Sequence, residues 1–269
     1  MDAGKSPNSV IGVVPRTAER AQSHEGAHRE ARGDATPLLR ADGLTKRYGD
    51  EIALADIALE INAGEVLGLI GPNGAGKTTL LEALAGLLPA DSGRVAWCGE
   101  ALPLARRREV MFYLPDGIKP YQDQPVARVL DFFARVYGRR ASYVADTIAA
   151  LGLAPVLAKR VHGLSKGFNR RLLLALALIA PHPLLLMDEP FDGFDLRQAR
   201  AIAGTLREVA ANGRALVLAI HQLGDAERVC DRFVLLSAGR VRGAGTLEQL
   251  RQRTNLPAAT LEEVFLALT

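Results

Sequence analysis

Gly71-Pro72-Asn73-Gly74-Ala75-Gly76-Lys77-Thr78-Thr79 fits the pattern G-x-x-x-x-G-K-[ST], with Gly71, Gly76, Lys77 and Thr78 on its fixed positions. The run before it, Val66-Leu67-Gly68-Leu69-Ile70, is short, apolar and partly β-branched, and predicts a buried strand. The run after it, Thr79-Leu80-Leu81-Glu82-Ala83-Leu84, predicts a helix. A glycine-rich loop between strand and helix turns successive N–H groups into one concavity, where the helix N-terminus adds its positive end. Lys77 is placed to reach β- and γ-phosphates, and the Thr78 hydroxyl to ligate Mg²⁺. The alternative, a turn that binds nothing, fits neither the lysine nor the flanking elements. The expected ligand is a nucleoside triphosphate.

Composition narrows the surroundings. The chain has 269 residues, 48% hydrophobic and 23% charged, enough for one large core or two small ones. A net charge of +3 is too weak to argue for nucleic acid. The runs Arg106-Arg107-Arg108 and Arg139-Arg140 read as solvated faces. A bilayer span needs about 18 apolar residues in a row, and Leu172–Ala180 is interrupted by Pro181-His182-Pro183. Cys98 and Cys230 lack metal-ligand spacing and read as small buried residues of a cytoplasmic protein.

Residues 1 to 36 mix Ser, Ala, Gly, Pro and both charge signs with no apolar period, and are expected to form a disordered extension. Order is expected from Leu38, with alternation over Ile57–Ile61 suiting an antiparallel strand. Tyr48 reads equally as a half-buried strand aromatic or an adenine platform. Val110–Leu114 predicts a strand closed by Pro115-Asp116-Gly117. Helical spacing follows from Val126, with Val129, Leu130, Phe133 and Val136 on one face and Val144, Ile148 and Leu151 on another. A turn over Gly163–Gly167 feeds an apolar helix, Arg170–Ala180. Leu184–Met187 predicts a buried strand ending in Asp188-Glu189, two adjacent carboxylates that are costly to bury without a cation. Further strands are expected at Ala215–Ile220, ending in His221, and at Phe233–Leu236; two short helices close the chain from Thr246.

Phosphate loop, helical insert with a Ser-x-Gly turn, Asp-Glu, then a lone His after another strand: in this order the chain resembles the nucleotide-binding subunit of ATP-binding cassette (ABC) transporters. The resemblance runs from Leu38 to about Gly245. It implies an α/β P-loop NTPase of ABC type, with a mixed sheet core, an antiparallel β subdomain and a helical subdomain. The cassette is expected over residues 37–245, its helical subdomain over about 117–168, and a helical tail over 246–269.

The resemblance also assigns roles. ATP would lie against Tyr48 and the loop Gly71 to Thr79. Mg²⁺ would be held by Thr78 and Asp188, the latter mostly through water. Glu189 would orient or deprotonate the attacking water, with His221 fixing it in line. Ser165 and Gly167, in Leu164-Ser165-Lys166-Gly167-Phe168, would address the γ-phosphate bound by a second subunit, which Asp195 would also touch. Lys166 stands where the family signature has glycine, and Phe168 where it has glutamine. Asp116 replaces the glutamine that couples Mg²⁺ and water to the membrane partner, and is both a catalytic and a metal candidate. Gln122 and Gln124 lie nearby in the wrong register.

The Ser-Lys-Gly turn and the ending Leu261–Thr269 are similar to the exporter-driving subgroup. The resemblance thus implies an ATPase that pairs with a like subunit, identical or not, and drives a separate transmembrane permease from the inner face of the membrane. Two other readings compete. A soluble cassette acting on nucleic acid or ribosomes would carry a long coiled-coil insert or a second cassette, and neither is present. A regulatory cassette with weak turnover fits Asp116 but not Glu189 and His221.

Overall fold

The computed structural model of the chain describes residues 36–269. The expected disordered extension lies, except for Thr36, outside the described residues. The chain begins with strands β1 (Leu39–Tyr48), β2 (Glu51–Ile61) and β3 (Val66–Ile70), then helix α1 (Lys77–Ala85). Next come β4 (Ser92–Trp97), β5 (Glu100–Ala101), α2 (Leu104–Val110) and β6 (Met111–Leu114). The insert holds α3 (Val126–Val136), α4 (Ala141–Ala150) and two 3₁₀ turns, Ala154–Val156 and Val161–Gly163. It leads into α5 (Lys166–Ile179), β7 (Leu184–Asp188), α6 (Leu196–Ala211), β8 (Ala215–Ile220) and α7 (Leu223–Val229). Strands β9 (Arg232–Ser237) and β10 (Arg240–Gly245) and helices α8 (Leu247–Thr254) and α9 (Leu261–Leu268) complete it.

A six-stranded sheet, ordered β10-β9-β3-β8-β7-β6, forms the centre. All of its neighbours run parallel except the edge pair β9 and β10. A parallel sheet must be covered on both faces, and period-2 alternation sorts its side chains accordingly. Val66 and Ile70 of β3, Leu185 and Met187 of β7, and Leu216, Leu218 and Ile220 of β8 enter the core shared with α3, α5 and α6. Their alternates Leu67, Leu69, Leu184, Leu186 and Val217 enter the core on the opposite face, with α1 and the second sheet. That sheet is antiparallel, ordered β2-β1-β4-β5, and Ile57, Leu59 and Ile61 are buried in it as their alternation requires.

Between β6 and α5 no strand forms, so the insert is helical as its sequence period indicated. Two arginines hold the end of α5, one of them, Arg139, from the insert. Arg139 donates to Ile179 O and Ala180 O at 2.6 and 2.9 Å, and Arg214 to Leu178 O and Ala180 O at 3.0 and 2.9 Å. These are the carbonyls that the end of α5 leaves unpaired, and two cations complement the negative end of its dipole.

Several expectations need correcting. Val110 ends helix α2 rather than opening β6. Arg107 is buried, donating to Leu102 O and Ala83 O, so only its neighbours Arg106 and Arg108 are solvated. Arg139 is half-buried for the reason just given. On α3 the buried face is Val126, Val129, Leu130 and Ala134, while Val136 is exposed. Cys230 is buried as expected, but Cys98 sits exposed in a turn with φ of 49°.

Candidate functional site

β3 is buried at all five residues and delivers the chain to Gly71, where it must bend away from β9. A Cβ on Gly71 would lie 2.3 Å from Leu236 O, so only glycine fits. Gly76 caps α1 with φ of 101°, and its Cβ would lie 2.6 Å from Ala53 O. Ala75 N–H donates to Pro72 O at 3.1 Å and closes the loop. Lys77 begins α1, is 7% exposed, and turns its ammonium back onto Gly71 O at 2.7 Å and Pro72 O at 3.1 Å. Burial pushes its pKa down, while Glu189 and Asp188 nearby pull it back up.

Opposite the loop, β7 ends in Asp188, whose Oδ2 accepts from the Thr78 hydroxyl at 2.6 Å. Burial raises the pKa of Asp188, and the Thr78 hydrogen bond opposes the shift. Glu189 follows in the left-handed region, φ 49°, a strained conformation for a side chain of this size. Its N–H donates to Ala219 O at 3.0 Å, which anchors the turn to β8. Its Oε2 lies 2.5 Å from His221 Nδ1 at the end of that strand. When Glu189 is ionised its carboxylate can only accept, and His221 Nδ1–H is then the donor. Burial raises the pKa of Glu189, and the His221 hydrogen bond opposes this.

Tyr48, Asn73, Gly74, Gly76, Lys77, Thr78, Thr79, Asp116, Asp188 and Glu189 line one cleft of about 380 Å³, joined by Glu51, which the sequence did not single out. Tyr48 closes β1 and is 50% exposed there, so it is a half-buried strand aromatic whose open side faces the cleft. Pro72 and Ala75 belong to the same loop. Among the expected residues, Gly71 and His221 do not line this cleft themselves, His221 reaching it only through Glu189, and Ser165, Gly167 and Asp195 lie elsewhere. Ser165 caps α5, accepting from Phe168 N–H at 3.4 Å, and with Gly167 lines a second cavity of about 300 Å³. Asp195 caps α6, accepting from Gln198 N–H at 2.8 Å.

Asp116 has a partner that sequence reasoning missed: Arg170, buried on α5, donates to its Oδ1 at 2.5 Å. A cation at the head of an otherwise apolar helix was the available signal.

Residues 54–192 match the sequence profile of the family described as ABC transporter. The chain belongs to that family. It is 34% identical to the Nod factor export ATP-binding protein I of Ralstonia nicotianae, over 80% of this chain and 69% of the relative. It is 32% identical to an ABC transporter ATP-binding protein of Methanocaldococcus jannaschii, over 80% of this chain and 79% of that one. A solved ATP-binding subunit of an ABC transporter superposes with a TM-score of 0.78 at 30% identity, covering 86% of this chain and 99% of its own. The chain is therefore an ABC ATP-binding cassette on the α/β P-loop fold described above. The family also implies Mg²⁺, and the donors present suit it: Thr78 hydroxyl and Asp188 carboxylate are hard oxygen ligands. Among the described residues no group of three or more His, Cys, Asp or Glu side chains is placed to hold a metal ion by itself. Such a cluster is not needed by an ion usually held through one or two carboxylates and the phosphates.

Proposed function

We propose that the chain hydrolyses ATP and, paired with a second cassette, drives a separate permease subunit in export. The observation that carries the hydrolytic reading is Glu189, hydrogen-bonded to His221 and lining the same cleft as Lys77, Thr78 and Asp188. Tyr48 stacks the adenine, and the loop N–H groups with Lys77 hold the β- and γ-phosphates. Mg²⁺, held by Thr78 and Asp188, neutralises phosphate charge when bound. Glu189 takes the proton of the attacking water as its oxygen bonds to the γ-phosphorus. The bond to the β–γ bridging oxygen breaks, leaving ADP and phosphate. His221 Nδ1–H keeps Glu189 ionised and aimed.

The second cavity supports pairing. Ser165 and Gly167 present a hydroxyl and a backbone N–H away from this chain's own cleft, suited to the γ-phosphate of a second copy or a like subunit. An exposed apolar surface on the insert, Ile118, Tyr121, Phe132 and Val136, follows directly on Asp116 and suits a membrane partner. Tyr121 and Phe132 meet edge-on at 5.7 Å. No helix among the described residues is long and apolar enough to cross a membrane, which is compatible with a permease on another chain. That chain would hold this one at the cytoplasmic face. Export is supported by the relative named for Nod factor export and by the Ser165-Lys166-Gly167 turn.

The test is Glu189→Gln. General-base catalysis is worth about 10² to 10⁴ in rate, so kcat should fall by that order while ATP still binds. Retention of wild-type turnover would refute the role of Glu189.

A further inference from the structure

We propose that Arg170 is a positioning residue for hydrolysis: a buried cation that ties Asp116 in the cleft to Asp192 in the turn behind Glu189. The inference rests on the ATPase reading above and adds a component to it.

Arg170 is 5% exposed, and a guanidinium does not give up its proton, so its charge must be matched where it stands. Nη2 faces Asp116 Oδ1 at 2.5 Å and Asp192 Oδ2 at 3.6 Å, while Nη1 has no hydrogen-bond partner among the described residues. Asp192 is shared: its Oδ1 accepts from Lys166 Nζ at 2.8 Å, which holds its carboxyl below the usual range. Lys166 also lays its stem over Gly193, where a Cβ would meet Lys166 Cγ at 2.8 Å. The Asp192 N–H donates to Glu189 O at 3.2 Å, closing the turn that presents Glu189. Lys166, Asp192, Arg170 and Asp116 thus alternate in sign and sum to zero. They run from the Ser165 turn, past the backbone of Glu189, into the nucleotide cleft.

This chain explains the aspartate at 116. A glutamine there would leave Arg170 with one carboxylate already engaged by Lys166, and so one buried positive charge in excess. It also gives the clamp a mechanical role. Arg170 stands on α5, a rigid helix capped by Ser165, so the loop at Asp116 and the turn at Asp192 are both registered to that helix.

Full-length wild type, Asp116→Asn, Arg170→Gln, Arg170→Lys and the Asp116→Asn/Arg170→Gln double variant are compared for ATP affinity, kcat and amide hydrogen exchange. Arg170→Gln, which leaves every group lining the cleft in place, should keep ATP affinity near wild type yet lower kcat on the order of 10-fold to 10²-fold, the cost of small misplacement, and Asp116→Asn should lower kcat at least as far. The double variant should be no worse than the worse single, because both break one unit. Arg170→Lys should recover part of the loss. Exchange should quicken at residues 113–117 and 190–194 while β8 stays protected. A purely structural ion pair would leave kcat unchanged in every variant that folds, and that result overturns the proposal. So would losses that multiply in the double variant. If Arg170→Gln does not fold, Asp116→Asn decides alone, and wild-type kcat there overturns the clamp. If the wild type binds ATP without hydrolysing it, the ATPase reading fails instead. Exchange at 113–117 unchanged in Asp116→Asn would then overturn the clamp as well.

Discussion

Lys77 is satisfied by two carbonyls but not neutralised by them, since Gly71 O and Pro72 O offer dipoles rather than charge. A phosphate would supply that charge, and no other cation of the loop could replace Lys77. Lys77→Ala should therefore abolish ATP binding in an equilibrium titration, with undiminished affinity as the contrary result. Glu189 gives a second test, through pH. Its pKa is raised by burial and lowered by His221, and it must be ionised to accept a proton. The acid limb of kcat/KM should lie above the ordinary glutamate value of about 4.3. His221→Ala removes the opposing hydrogen bond, so the limb should move further up. A limb that stays in place or moves down would remove His221 from this role. Lys77, Asp188 and Glu189 were legible in the sequence because each lies within a few residues of a strand end that fixes it. Arg170 was not, because its partner Asp116 stands 54 positions away. From sequence alone glutamine at 116 looks like a harmless return to the family's usual residue; the buried guanidinium argues otherwise.

The elements that set the cleft read true because their burial is two-sided. β3, β7 and β8 are unbroken apolar runs, and their ends at Ile70, Asp188 and Ile220 set where the loop, the carboxylates and His221 begin. Helix α2 was missed because three arginines mask its pattern, and because burial of Arg107 depends on carbonyls offered by α1 and the segment before α2. Tertiary partners of that kind leave no periodic trace. The loop between β3 and α1 is rigid for a steric reason, which makes it testable. Gly71→Ala would drive a Cβ into Leu236 O, forcing the loop off β9. Overpacking of this kind costs about 1–3 kcal/mol. Urea unfolding should show a loss of that order together with loss of ATP binding. A variant with wild-type stability and affinity would contradict the geometry.

At the scale of the molecule, strand order was beyond the sequence. β3 pairs with β8 and β9, both far along the chain, and only parallel pairing in three dimensions reveals it. The helical insert was legible by its period, and the Ser165 turn by its resemblance to a signature. What the fold adds is their separation: the turn opens on one cavity and the phosphate loop on another. Two chains arranged head to tail would bring each turn to the other's cleft, with ATP between them. Such a sandwich reopens on hydrolysis, so blocking hydrolysis should trap it. Light scattering on Glu189→Gln, with and without MgATP, measures this directly. The mass should be that of one chain without nucleotide and of two chains with it. A single unchanging mass in both conditions, from a protein whose wild type hydrolyses ATP, would mean that each cleft is complete in one chain.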